Sequence, residues 1–286
     1  MSGYTLGFVF DARTSALRPL LGIPGAAMLG KPLDAGIGIT RAIVSPQQNY
    51  ALAVTASGSM IVRLSPLRDI PSVSALAANI EATDVIALSP NGSRVAIYSA
   101  QENSIRIATG LPDAAGWSRA RSTSGIPGQL RLLAVSNDGA ALVAAFSSDG
   151  ADSLLRMDAD GAAPVIMTSS HISGLRFAGD SRDLLVTDDV DDTVYLARDV
   201  SGSPSPVLLA GAAEGIAGPI AAEFSVDKRL VIVLNGRAGN IVSLDPAGGD
   251  RSVFACACVA TGLSRLNGNA VFRLNDPSAE IGRAHV

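Results

Sequence analysis

Reactive side chains are scarce in this chain: its 286 residues include 2 His and 2 Cys, and aromatic residues make up 4%. Two cysteines exclude a disulfide-dense scaffold. Lysine is almost absent, since Lys31 and Lys228 are the only lysines among 22 basic residues. Against 26 acidic residues the formal net charge is −4, so the composition carries no footprint of a nucleic-acid partner. With 17% charged and 48% hydrophobic residues the chain is too apolar and too weakly charged to stay disordered. No uncharged apolar run approaches the roughly 18 residues that a spanning helix needs. What is there is apolar residue in short runs. A chain of this length can bury about 75% of its surface, so a packed globular protein is expected.

The ends are read before the fold. Met1 to Asp11 lacks a basic segment followed by a long apolar core, so no signal peptide is visible. Glu280-Ile281-Gly282-Arg283-Ala284-His285-Val286 looks like a translated sequencing adapter. Residues 280–286 are therefore expected to be a non-native tail on a C-terminally truncated protein, and His285 is set aside. An export signal lost upstream of Met1 fits the same picture, and a periplasmic or secreted location is expected. The arginine bias, with abundant Ala and Gly, looks like a high-GC bacterial genome.

One phrase recurs along the chain. Ile43-Val44-Ser45-Pro46 leads to Tyr50-Ala51-Leu52-Ala53-Val54, and Ile86-Ala87-Leu88-Ser89-Pro90-Asn91-Gly92 leads to Val95-Ala96-Ile97-Tyr98. Further copies centre on Ser136, Ala178, Ser225 and, degenerately, Ser264, at intervals of about 40 to 47 residues. Each copy is a short apolar run, an Asn/Asp/Gly turn and a second apolar run, which makes a β-hairpin. A third strand follows in which two apolar residues flank an outward one, as Val62 and Leu64 do around Arg63. A variable outer segment closes each unit, for example Pro71 to Ala77 and Pro206 to Ala210. Four strands per unit make a propeller blade. The fold expected is all-β, a β-propeller of four-stranded blades over residues 1–279, with inner strands near 42–45, 85–88, 132–135, 174–177 and 221–224. Phe8-Val9-Phe10 reads as a third strand and Ala16 to Leu20 as an outer one, completing a blade shared with the C-terminal pair near Leu263 and Val271. That gives six blades, with seven left open.

The phrases Leu88-Ser89-Pro90-Asn91-Gly92-Ser93-Arg94-Val95 and Val135-Ser136-Asn137-Asp138-Gly139 resemble blades of the bacterial YVTN, lactonase-like and TolB-like (WD40-like) propellers. The resemblance covers most of residues 42–274. It implies a fold and no reaction, because these residues make turns. The Trp-Asp and Gly-His dipeptides of typical WD40 blades are absent.

Three features are candidate sites. Asp188, Asp189, Asp191 and Asp192 form an acidic hairpin whose oxygens suit a hard cation such as calcium, though such a tip is more often a solvated turn and no EF-hand spacing accompanies it. Cys256 and Cys258 precede the sixth inner strand and His171 the fourth, so thiolate and imidazole could bind a soft metal or act as nucleophile and base; buried free thiols are the plainer reading. Trp117, the only tryptophan, could anchor a partner from a loop or pack over the outer edge of its blade. No catalytic residue and no cofactor is assigned. The function expected is a non-catalytic binding propeller, monomeric, for a protein or small-molecule ligand. The alternative is a propeller-type hydrolase or lactonase with its site at the central channel.

Overall fold

The structure, a computed structural model, describes residues 4–24, 26–67, 70–78, 80–81, 83–113, 116–179, 182–256, 260–266 and 272–274. Cys258, Val271 and the tail 280–286 lie outside them. The repeated serine closes a tight turn. The hydroxyls of Ser45, Ser89, Ser136 and Ser225 accept from the N–H groups of Tyr50, Arg94, Ala141 and Leu230, at 3.3, 3.1, 3.0 and 3.0 Å. The same hydroxyls donate to Asn49, Asn91, Asp138 and Asp227 at 2.8, 2.9, 2.6 and 2.7 Å. Reversal of the chain puts the residue three after each serine in the left-handed region, with φ of 58° at Gln48, 70° at Gly92, 70° at Gly139 and 58° at Lys228. Glycine adopts that conformation freely. Gln48 adopts it with a side chain attached, which matters for closure of the ring.

The hairpins assemble a six-bladed β-propeller of antiparallel, mostly four-stranded sheets. The first blade is β1 (Thr5–Asp11), β2 (Ala16–Ile23) and β3 (Ala26–Leu29). The second is β4 (Ile39–Val44), β5 (Tyr50–Thr55), β6 (Gly58–Arg63) and β7 (Ser72–Ala75). The third runs through β8 (Val85–Leu88), β9 (Arg94–Ser99) and β10 (Ser104–Thr109). Its outer strand is broken into β11 (Gly116–Trp117) and β12 (Arg121–Ser122), both paired with β10. The fourth is β13 (Gln129–Val135), β14 (Leu142–Ser148), β15 (Ala151–Arg156) and β16 (Val165–Ser169). The fifth is β17 (Ile172–Phe177), β18 (Leu184–Asp188), β19 (Thr193–Ala197) and β20 (Pro206–Ala210). The sixth is β21 (Pro219–Phe224), β22 (Val231–Asn235), β23 (Asn240–Leu244) and β24 (Arg251–Ala255). A two-stranded ladder, β25 (Leu263–Arg265) and β26 (Phe272–Leu274), follows. The expected inner strands are β4, β8, β13, β17 and β21. Among the described residues one 3-10 turn, Ala212–Glu214, is the only helix, and none is long and apolar enough to cross a membrane.

The expectations for the N-terminus are corrected: Ala16 to Leu20 lies in β2, the middle strand of the first blade and not an outer one, and the β25–β26 pair forms a sheet of its own instead of completing that blade. Phe8-Val9-Phe10 is not a third strand: it lies in β1, at the inner edge of its own sheet, and lines the central channel. The reading failed because a lone apolar triplet carries no sign of which edge of a sheet it occupies.

Blades stick together through alternating faces. In β18, Leu184 and Val186 pack with Val143, Leu154 and Phe177 toward the fourth blade, whereas Leu185 packs with Phe224, Val231 and Val233 toward the sixth. Period-two alternation thus feeds two cores from one strand. Each fully buried Val or Leu contributes about 1.5–3 kcal/mol. The ladder carries the same pattern across the seam: Leu263, Phe272 and Leu274 pack on Leu234 and Ile241 of the sixth blade, and Leu266 packs on Leu6, Val9 and Leu20 of the first. Gln48 bolts the seam, accepting from the Phe8 N–H at 2.6 Å and donating through Nε2 to the Arg265 carbonyl at 3.0 Å. Gly7 makes room, because a Cβ there would sit 2.9 Å from Gln48 Oε1 and from Leu266 Cδ2.

Arginine links neighbouring blades. Arg63 reaches Asp113 at 2.6 Å, Arg94 the Asn137 carbonyl at 2.7 Å, Arg156 the Ser201 carbonyl at 3.2 Å, and Arg182 both Asp138 and Ser201. A planar fork with five donors can serve a carboxylate and a carbonyl together, which the lysine ammonium does less well. The Ser136 hydroxyl, opposed by burial and aided by the Ala140 N–H and Arg182, holds Asp138 at about 2, below its ordinary 3.8. Asp227 is lowered likewise, first by Ser225. A depressed carboxyl stabilises the fold above its unfolded value and loses that effect as pH falls toward the folded one. The urea midpoint is therefore expected to stay flat from about pH 7 to 5 and to drop between about pH 4 and 2, with a smaller drop in an Asp138→Asn variant. An equal drop in that variant would remove Asp138 from the account.

Candidate functional site

The inner strands surround a channel with a cavity of about 430 Å³. Its wall is set by register. Two residues before the turn position stand Ile43, Ala87 and Ala134 in β4, β8 and β13, then Arg176 and Glu223 in β17 and β21. Blades two to four thus present apolar side chains, with Phe8 and Phe10 of the first beside them, and blades five and six present charge. Glu223, 6% exposed, receives Arg176 Nε on Oε2 at 2.9 Å and Arg265 Nη2 on Oε1 at 3.2 Å. Arg265 Nη2 also donates to the Phe224 carbonyl at 2.6 Å, and its guanidinium lies 5.9 Å from the Phe272 ring centroid. A carboxylate so far from water requires such pairing. Arg273 of β26 completes the charged wall; burial lowers its pKa, and its buried Nε has no hydrogen-bond partner.

The acidic hairpin lies elsewhere, between β18 and β19, and none of its carboxylates lines the cavity. Asp188 is wholly buried: its Oδ1 accepts from the N–H groups of Val190 and Asp191, both at 2.8 Å, and its Oδ2 from the His171 N–H at 3.0 Å and the Ser169 hydroxyl. Burial alone would raise this carboxyl; the four hydrogen bonds outweigh it and bring its pKa below the ordinary value. Asp192 accepts from the Gly218 N–H at 2.6 Å and pairs with Arg237 of the sixth blade at 2.9 Å. Asp191 is exposed. Asp189 faces His171, with Oδ1 and Nδ1 2.5 Å apart and both side chains about one-third exposed. Three of the four carboxylates are therefore turned to different partners, and among the described residues no group of three or more His, Cys, Asp or Glu is placed to hold a metal ion.

Trp117 sits half-buried in β11 and packs against the core between the second and third blades, with Nε1 buried and unpartnered. Cys256 is disulfide-bonded, which corrects its reading as a free thiol: a nucleophile or metal ligand needs the thiolate, and a disulfide sulfur is neither. The sequence reading missed the Arg176–Glu223–Arg265 wall. Its signal was a charged residue inside an inner strand, in Leu175-Arg176-Phe177 and Ala222-Glu223-Phe224.

No family model matches the chain, and neither does any curated protein. Solved structures do. A catalytically inactive histidine-to-alanine variant of virginiamycin B lyase from Staphylococcus aureus, crystallised with quinupristin, is 12% identical, covering 99% of this chain and 94% of that one with a TM-score of 0.62. A functionally unknown protein from Desulfotomaculum acetoxidans is 12% identical, with coverage of 98% and 95% and a TM-score of 0.60. A chain of the nidogen/laminin complex is 15% identical, with coverage of 88% and 93% and a TM-score of 0.52. Identities this low show the fold, so the chain is similar in architecture to an enzyme, to a propeller of unknown function and to a member of a protein–protein complex.

Proposed function

We propose that this chain is a binding propeller of a bacterial, exported protein, a rigid ring that receives its ligand in the central channel without transforming it. The observation that carries this reading is the chemistry of the cavity wall. Its one carboxylate among the described residues, Glu223, is held on both oxygens by Arg176 and Arg265 and cannot serve as a base while so clamped. The likeness to a chain of the nidogen/laminin complex supports a binding role for the architecture and no more.

A second reading rests on the His171–Asp189 pair at 2.5 Å, the geometry of an imidazole oriented by a carboxylate for general-base work. It would make the chain a hydrolase or a lyase, as one structural neighbour is by name. Incubation of the purified chain with lactones, esters and quinupristin, followed by mass spectrometry, separates the two. The binding reading expects every compound to be recovered unchanged. Turnover that disappears in a folded His171→Ala variant would replace it with the enzyme reading.

A further inference from the structure

We infer that the channel selects small organic anions, a phosphate or carboxylate head on an apolar body, with Arg273 and its neighbour Arg265 gripping the head. The inference rests on the binding reading above and gives it a ligand class. Its first ground is charge. Among the described residues the ionisable side chains of the cavity wall are Arg176, Glu223, Arg265 and Arg273, three cations against one anion. Glu223 already has an arginine on each oxygen, and no ion pair joins it to Arg273 among the described residues. The buried Nε of Arg273 has no hydrogen-bond partner among the described residues. A guanidinium cannot shed its proton at physiological pH, so it keeps its charge and its donors wherever the fold puts it.

The second ground is the desolvation that Arg273 suffers. Burial lowers its proton affinity, and no opposing carboxylate acts to raise it. An anion entering the cavity supplies what the fold omits. The third ground is shape. The cavity, at about 430 Å³, is of the size that accepts a small ligand, and the wall opposite the arginines is built from apolar residues such as Phe8, Phe10, Ile43 and Leu133. A bare inorganic anion would use one wall only. A molecule with an anionic head and a hydrocarbon body uses both. The Arg265 guanidinium lies 5.9 Å from the Phe272 ring centroid, and a guanidinium suits two-point contact with a phosphate or carboxylate.

The test is isothermal titration calorimetry on the full chain with hexyl phosphate, hexanoate, hexanol and inorganic phosphate, in low salt. Binding of hexyl phosphate, hexanoate or both at least about tenfold tighter than hexanol, and tighter than inorganic phosphate, is the expected result. The stronger of the two identifies the head group. An Arg273→Met variant is expected to lose at least about tenfold in that affinity, with Arg273→Lys intermediate. Because Arg273→Met removes a partly buried charge with no ion pair among the described residues, its thermal midpoint without ligand is expected to equal or exceed that of the parent, so weak binding there is not a folding failure. Hexanol binding as tightly as the anions would overturn the inference while leaving a channel that binds. Anion binding unaltered by Arg273→Met would overturn it too, as would no heat with any of the four probes. Conversion of a probe to product would instead overturn the binding reading itself.

Discussion

Truncation of Gln48 to alanine is expected to lower the stability of the chain by about 2–4 kcal/mol. The reason is topological. Gln48 is 5% exposed, and its amide is the hydrogen-bonding link between the first blade and the β25–β26 ladder, through the Phe8 N–H and the Arg265 carbonyl. Removing the side chain leaves both main-chain groups without a partner, at about 1–3 kcal/mol for each buried one. The Gly7 gap that admitted the amide stays open as well. A control comes from the repeat itself. Gln48→Gly installs the residue that the equivalent position has in Gly92 and Gly139 and relieves the strain of φ 58°, about 1–2 kcal/mol in its favour. If the bolt matters, Gln48→Gly still falls below the parent in urea denaturation. A glycine variant as stable as the parent would show that apolar packing of Leu266 and Leu6 closes the ring unaided.

The blades were legible in the sequence because their determinants are local. A serine, an Asn or Asp, and a residue able to take positive φ lie within a few positions of one another, and the apolar runs on either side alternate with period two. Ser136, Asp138 and Gly139 say all of this in four residues. Closure was not legible. Nothing near Gln48 in the chain announces Arg265, a partner 217 residues away, and nothing in Phe8-Val9-Phe10 says that the triplet faces a channel. The charged wall hid for a related reason. A single arginine in an inner strand reads as an outward residue, and only the register of successive blades brings Arg176, Glu223 and Arg265 side by side. Composition misled in the opposite direction at the acidic hairpin. Four aspartates within five residues suggest a cation site, yet the backbone N–H groups and Arg237 take up two of the carboxylates before any ion could.

That use of carboxylates sets the second large expectation. Asp188→Ala is expected to destabilise the chain by about 3–5 kcal/mol, and Asp189→Ala by less than about 1 kcal/mol, although the two residues are adjacent and chemically identical. Asp188 is fully buried and serves three backbone donors, the N–H groups of His171, Val190 and Asp191, together with the Ser169 hydroxyl. Alanine leaves all of these without an acceptor, at the end of β18 and the start of β17 together. Asp189 faces only the His171 ring with its carboxylate, both side chains being about one-third exposed, an interaction that water replaces readily. Asp188→Asn should recover part of the loss, since its amide oxygen can still accept from one side while its NH2 meets donors on the other. Urea midpoints for the three variants and hydrogen exchange at Val190 and Asp191 measure the difference. Exchange at those two amides is expected to accelerate in Asp188→Ala and to stay slow in Asp189→Ala. Equal midpoints and equal exchange in the two alanine variants would mean that the hairpin is held by its strand pairing alone, with no part played by the buried carboxylate.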